Sequence, residues 1–262
     1  MYGKEARLKR IINKKSGRTI IVPMDHGATM GPLTGLENIN RCVQSFPIEC
    51  INGIVVCKGQ MTDYEFVKNC QVPIFVHLSN SNVLSPAPNF KTLMGSVENA
   101  IALGADAISV HINIGDDNEH QMLYDLGKVA DDCFKWEMPL LAMMYVRAND
   151  TSKNINENIK IAARIADESG ADIIKVNYTG SIDSFREVVE GCHVPIIIAG
   201  GNVSKGEEVL RMVADAIEAG AIGMACGRNV FQSADTDKML RALNAVIHEN
   251  ASVEDALKFL DE

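Results

Sequence analysis

The chain has 262 residues, 47% of them hydrophobic, enough to build one large core. Its formal charge of −9 argues against nucleic acid or an anionic membrane as the main partner, although a local basic site can still hold phosphate. No apolar run approaches the ~20 residues of a membrane-spanning helix, and the charged start from Met1 to Arg10 has no apolar segment behind it, so neither a membrane anchor nor a signal peptide is expected and a cytoplasmic location follows.

Glu5 to Ile12 reads as a basic amphipathic N-terminal helix, ending in the turn-like run from Asn13 to Arg18. Thr19 to Met24 is a short apolar strand that runs into Asp25, His26 and Gly27. Further apolar runs follow at Gly53–Cys57, Ile74–Leu78, Ala107–Ile112, Leu140–Tyr145, Ile173–Tyr178, Pro195–Gly200 and Ile222–Gly227, which makes eight. Strands apolar on both faces are what a parallel sheet under helices produces. Helical patterns lie between them, such as Ser96–Gly104 and Asn156–Ser169, the latter followed by Gly170. Gly-Ala-Asp recurs at Gly104 to Asp106 and Gly170 to Asp172, with Gly220-Ala221-Ile222 similar to it; each reads as the turn from a helix into the next strand. Leu78 to Gly95, with Pro86 and Pro88, is expected to be a loop over the barrel mouth, and Lys238 to Leu260 an amphipathic helical end. Eight βα units in this length match a TIM (β/α)8 barrel, an α/β fold, and without a linker or low-complexity tract residues 1–262 make a single domain. A doubly wound open sheet fits less well, because no GxGxxG follows the first strand, and no cofactor is expected.

Reactive groups of such a barrel come from the C-terminal ends of its strands. Those ends hold Asp25 and His26, Lys58, His77, His111, Tyr145 with Arg147, Lys175 with Asn177, Gly200 with Gly201, and Gly227 with Arg228. Lys175 is the residue that demands a reason. Alternation puts Ile173, Lys175 and Asn177 on one face and Ile174 and Val176 on the other, so an ammonium lies within a buried strand. Lysine is rarely buried unpaired, and desolvation favours its neutral, nucleophilic amine. A lysine, a phenol (Tyr145) and a carboxylate (Asp25) converging on one cavity are what Schiff-base catalysis requires.

His26, His77 and His111 raise an alternative, a metal site at the barrel mouth, but no HExxH-like spacing supports it and no metal is expected. The seven cysteines, Cys42, Cys50, Cys57, Cys70, Cys133, Cys192 and Cys226, include no CxxC pair and read as core thiols of a reducing compartment. Gly200-Gly201-Asn202 and Gly227-Arg228-Asn229 close strands seven and eight, where barrels bind phosphate through backbone N–H groups that glycine lets approach, and Arg228 adds a fork of donors.

Ile21 to Gly27, His111-Ile112-Asn113-Ile114-Gly115, Met143-Met144-Tyr145-Val146-Arg147, Lys175 to Gly180 and Gly227 to Gln232 resemble the motifs of the archaeal-type class I aldolases, and within them the 2-amino-3,7-dideoxy-D-threo-hept-6-ulosonate synthases, from about Arg7 to Lys258. The resemblance implies that Lys175 forms the Schiff base, Tyr145 donates a proton and Asp25 accepts one. It further implies that Tyr145, Val146, Arg147, Gly200, Gly201, Gly227 and Arg228 contact a sugar phosphate; His26, His111 and Asn177 join this binding set by position. The implied reaction transfers a three-carbon unit from 6-deoxy-5-ketofructose 1-phosphate to L-aspartate semialdehyde, on a route to aromatic amino acids, in a homo-oligomer such as a ring-shaped decamer. Fructose-bisphosphate cleavage, condensation of dihydroxyacetone phosphate with the same semialdehyde, and a phosphoketone thiolase reaction use nearly the same constellation, and a non-catalytic sugar-phosphate-binding barrel is the remaining alternative. The chain departs from the family at Tyr145-Val146-Arg147-Ala148, where members carry Tyr-Pro-Arg-Gly; this loosens the turn and bears on the substrate more than on the chemistry.

Overall fold

In the computed structural model, which describes residues 2–147 and 155–261, the apolar runs pair edge to edge until the sheet meets itself. Among the described residues the eight barrel strands are β1 Thr19–Pro23, β2 Gly53–Cys57, β3 Ile74–His77, β4 Ala107–Ile114, β5 Leu140–Val146, β6 Ile173–Val176, β7 Ile196–Ala199 and β8 Gly223–Ala225. Each pairs in parallel with its neighbour in sequence, as in Ile21↔Gly53 and Ile198↔Met224, and β8 returns to β1 through Thr19↔Gly223. The result is the expected TIM barrel, with helices such as Glu119–Lys135, Ile155–Glu168 and Gly206–Glu218 outside it. β4 and β5 run further than their apolar runs predict, and β6 stops at Val176, short of Tyr178.

Side-chain parity sorts the strand residues into two cores. Ile21, Val55, Phe75, Ala107, Leu141, Met143, Ile173, Ile197 and Ala225 fill the barrel interior. Residues of the opposite parity, among them Ile54, Val76, Ile108, Ala142, Ile174 and Ile198, pack outward in the second core under the helices.

The repeated Gly-Ala-Asp turns hold the floor together. Gly104, Gly170 and Gly220 sit at φ +91°, +92° and +106°, the left-handed conformation in which glycine ends a helix without Cβ strain. The aspartates that follow two of them then turn back to the strands: Asp106 accepts from the Ile74 N–H at 3.0 Å and Asp172 from the Leu140 N–H at 2.9 Å. Asp172 also pairs with Lys4 at 2.9 Å, and Asp106 pairs with Arg10. These two contacts clamp the N-terminal helix, Tyr2–Ile11, across the strands' N-terminal ends, with Ile11 in the inner core and Leu8 and Ile12 packed against it.

Two expectations change. The stretch from Leu78 to Gly95 is not a plain loop: Ser79–Asn80 pairs antiparallel with Thr92–Leu93, because the chain leaves β3 still extended and the Ser79 hydroxyl accepts the His111 N–H at 2.7 Å. The C-terminal segment is two helices, Thr236–Glu249 and Val253–Asp261, divided at Asn250, whose φ of 55° is a left-handed turn that asparagine tolerates. Ala148, which ends the departing segment of the family motif, lies outside the described residues. No described helix is long and apolar enough to cross a membrane.

The Lys4–Asp172 pair is sheltered, with side chains 11% and 17% exposed. Removing the carboxylate strands a mostly buried ammonium and the Leu140 N–H, a loss of about 2–4 kcal/mol. Asp172→Ala is therefore expected to lower the calorimetric Tm by roughly 5–10 °C. Glu5→Gln, which breaks the exposed Glu5–Lys9 pair, is expected to shift it by less than about 2 °C.

Candidate active site

The same parity that fills the inner core delivers polar side chains to the mouth. Pro23 and Asp25 continue the face of Ile21, His77 that of Phe75, and Ser109, His111 and Asn113 that of Ala107. Tyr145 and Arg147 follow Leu141 and Met143, and Lys175 and Asn177 follow Ile173. Lys175 is 5% exposed; its Nζ lies 4.0 Å from Met143 Sδ and 5.9 Å from the centroid of the Tyr145 ring, and among the described residues it makes no ion pair.

Asp25 stands between two imidazoles, with His77 Nε2 3.6 Å from Oδ2 and His26 Nδ1 3.7 Å from Oδ1. Burial alone would raise the Asp25 carboxyl, but His77, His26 and Lys175 outweigh it and bring it down to about 2. Burial lowers the His26 and His77 imidazoles against the opposing pull of Asp25, and lowers His111 well below the usual histidine value. At neutral pH the carboxylate is thus ionised and the imidazoles act as neutral hydrogen-bonding groups, so their full charge reaches Asp25 only in acid. His77 Nδ1 is 2.8 Å from the Ser109 hydroxyl, and His111 Nε2 is 3.0 Å from Asn113 Oδ1. Arg147 donates from Nε to the same Asn113 oxygen at 3.2 Å. Tyr145 is held among these groups, its ring 4.6 Å from that of His111 and 5.3 Å from the Arg147 guanidinium carbon.

The loops after β7 and β8 form one cradle. Buried Asn229 donates to the Gly200 and Asn202 carbonyls at 2.8 and 2.9 Å and accepts the Ser204 N–H at 2.8 Å. Arg228 donates to the Gly201 carbonyl at 3.0 Å. Gly227 is confined by close approach: a Cβ there would lie 2.5 Å from the Pro23 carbonyl oxygen and 2.8 Å from His26 Cε1.

Together these groups line a cleft with two lobes. One lobe, about 250 Å³, is bounded by Asn177, Gly200, Gly201, Asn202, Gly227 and Asn229; the other, about 310 Å³, by Asp25, Thr29, Val83, Asn89, Lys91 and His111. His26, Tyr145, Arg147, Lys175 and Arg228 border both, so Lys175 lies at their junction. The cleft thereby gathers every residue expected to react or to bind the sugar phosphate except Val146. Val146 has the outward parity of Met144 and packs on the outer core. Of the other strand-end groups, His77 lines neither lobe and reaches the site through Asp25, and Lys58 is exposed and borders neither, because the strand ends at Cys57 and Lys58 opens a 3-10 helix.

Strand-end reading missed Lys91, which is 8% exposed, and Asn229. Asn229 was visible within the Gly227–Gln232 motif, whereas nothing in the pattern around Lys91 marks it. Among the described residues no three His, Cys, Asp or Glu side chains gather in a metal-binding arrangement. His77 and His111 each direct a ring nitrogen to a neutral oxygen instead.

A family model described as DeoC/LacD family aldolase matches residues 19–233. The chain is 41% identical over 260 residues to an Archaeoglobus fulgidus protein named 2-amino-3,7-dideoxy-D-threo-hept-6-ulosonate synthase 1, covering 99% of this chain and 96% of that one. It is 36% identical over 253 residues to a Streptomyces griseus protein named 2-amino-4,5-dihydroxy-6-oxo-7-(phosphonooxy)heptanoate synthase, covering 96% of this chain and 92% of that one. Among solved structures, an archaeal fructose-1,6-bisphosphate aldolase with its catalytic lysine covalently bound to the carbinolamine intermediate of the substrate matches with a TM-score of 0.83 at 29% identity, over 93% of this chain and 99% of that one.

The lowered histidines have a consequence for stability. Between their folded values and 6.5 the unfolded chain binds more protons than the folded one, so stability rises with pH through that window and is complete above it. Asp25 adds an acid limb, present above 3.8 and lost as pH falls toward about 2. The urea midpoint is expected to fall as pH is taken from about 7 to about 5, and to fall less steeply in His77→Gln.

Proposed function

The chain belongs to the DeoC/LacD aldolase family, and from that premise we propose that it is a class I aldolase joining a phosphorylated ketone donor to L-aspartate semialdehyde through a Schiff base on Lys175. The observation that carries this reading is Lys175, buried and without an ion pair among the described residues, at the junction of the two lobes, with the Tyr145 ring 5.9 Å away. The synthase names of the relatives support the choice of acceptor.

The donor's phosphate enters the first lobe, against the backbone at Gly200, Gly201 and Gly227 and the guanidinium of Arg228. This leaves the ketone carbon over Lys175. The unprotonated amine adds to it, Tyr145 gives a proton to the departing hydroxyl, and loss of water leaves an iminium. The cation accepts the electron pair of the neighbouring C–H or C–C bond: dihydroxyacetone phosphate reaches the enamine by giving its C–H proton to the Asp25 carboxylate, and 6-deoxy-5-ketofructose 1-phosphate by giving Asp25 the proton of the hydroxyl beside the breaking C–C bond as its far fragment leaves as an aldehyde. The enamine carbon then bonds to the aldehyde carbon in the second lobe, and Asp25 returns the proton to the oxygen that becomes the new hydroxyl. Water releases the product and returns the free amine. Neutral His26 and His111 serve as hydrogen-bond partners for donor hydroxyls; among the described residues His26 Nδ1, 3.7 Å from Asp25 Oδ1, makes no hydrogen bond.

In this reading the whole chain is one cytoplasmic catalytic domain, working without metal or cofactor and assembling with copies of itself as a ring-shaped decamer. The seven free thiols support the compartment. Tyr124 and Phe134, 68% and 62% exposed on one long helix, support contact between copies.

Borohydride with dihydroxyacetone phosphate is expected to leave a stable adduct on Lys175, read by peptide mass spectrometry. Lys175→Met should show neither adduct nor turnover, and full activity in that variant sinks the reading. Tyr145→Phe is expected to lower kcat by about 10²–10⁴-fold. Light scattering should return a multiple of the 28.5 kDa chain; a monomer removes the assembly from the proposal.

A further inference from the structure

We infer that the second lobe is a carboxylate-binding subsite whose anchor is Lys91, the residue that selects an acceptor aldehyde carrying a negative charge at its far end. The inference deepens the function proposed above and rests on it.

The cleft reverses the sign of the chain. Against a net charge of −9, the two lobes bring together Lys91, Arg147, Lys175 and Arg228, with Asp25 as the only carboxylate in their linings among the described residues. One anion accounts for the half built by the glycines after β7 and β8. Lys91 is not part of that half: it comes from the ribbon beyond β3 and borders only the second lobe.

Lys91 is also held in place before any ligand arrives. The pairing of Ser79–Asn80 with Thr92–Leu93 pins both ends of its segment, its own N–H donates to Met122 Sδ at 3.4 Å, and its Nζ donates to the Ser81 hydroxyl at 2.6 Å. That single bond engages one of three ammonium donors. At 8% exposure, with no ion pair among the described residues, the group bears most of the cost of desolvation and little of its compensation. Burial lowers the Lys91 amine, Asp25 raises it and Arg147 lowers it again, and an incoming anion would raise it.

The chemistry favours a carboxylate over a second phosphate. Phosphate sites on such barrels rely on backbone N–H groups exposed by glycine, and among the described residues no glycine borders the second lobe. What this lobe offers instead is one side-chain ammonium with the Arg147 fork and the Asn89 amide nearby. A four-carbon aldehyde acid places its carboxylate there while its carbonyl faces the carbon held by Lys175.

The test uses dihydroxyacetone phosphate as donor with three acceptors: succinate semialdehyde, butanal of the same length without the carboxylate, and glyceraldehyde 3-phosphate. The native chain is expected to prefer succinate semialdehyde in kcat/KM. In Lys91→Gln its preference over butanal should fall about ten- to a hundredfold, through KM, and Lys91→Arg should restore most of it. An unchanged preference in folded Lys91→Gln overturns the inference, as does a loss confined to glyceraldehyde 3-phosphate. If Lys91→Gln does not fold, Ser81→Ala, which frees the ammonium from its tether, should weaken the preference several-fold, and no change there also overturns it. Borohydride trapping on the native chain separates the two levels. Without an adduct at Lys175 the parent reading fails. With the adduct formed but the preference insensitive to Lys91, or with neither small aldehyde turned over, only the subsite fails.

Discussion

Closing eight parallel strands on themselves leaves each strand with one face toward the helices and one toward a common axis, and this two-sidedness governs the rest of the molecule. Low on the axis, residues of the inward parity are apolar and exclude water. One or two steps of the same parity further up they become Asp25, His77, His111, Tyr145 and Lys175. An amine placed there meets a dry floor beneath and polar groups around it without any loop having to carry it. A shift of one residue in β6 would exchange Lys175 for Ile174 and face the amine into the outer core, so register and chemistry are set by the same hydrogen bonds.

The two ends of the barrel divide the work. At the floor, Asp106 and Asp172 satisfy strand N–H groups and hold the N-terminal helix over the opening; these contacts add stability and touch nothing reactive. At the mouth, polar side chains gather with few ion pairs: among the described residues Lys175 and Lys91 have none, and His26 Nδ1 makes no hydrogen bond. Groups left unsatisfied in a folded chain are poised for a ligand to complete them. The electrostatics follow. A strongly acidic protein gathers Lys91, Arg147 and Arg228 around Lys175 in one cleft, a local reversal of its net charge.

Much of this was legible in the chain itself. Local hydrophobic pattern and the Gly-Ala-Asp turns reported eight strands, their order and the barrel, because a parallel strand buried on both faces leaves a continuous apolar run whatever its neighbours. The places of Lys175, Tyr145, Asp25, Gly200-Gly201 and Gly227-Arg228 were legible too, since the ends of such strands coincide with the mouth and polar residues there contradict their surroundings. Period-two parity even carries the information that Val146 faces away, although attention to strand ends alone overlooked it.

What only the tertiary structure decided lies where contacts cross long distances in the chain. The pairing of Ser79–Asn80 with Thr92–Leu93 leaves no periodic trace in so short a stretch, so Lys91 reads as one more loop lysine until that ribbon brings it to the second lobe. The values of Asp25 and its imidazoles depend on groups from β1, β3 and β6 meeting at one point, and the cradle of Asn229 depends on two loops meeting across 27 to 29 residues. Residue identity placed the polar groups at the barrel mouth by local rules of strand and turn. Which of them share a cavity, and how strongly each feels the others, was decided by closure of the barrel, because electrostatic and packing terms act through space and not along the chain.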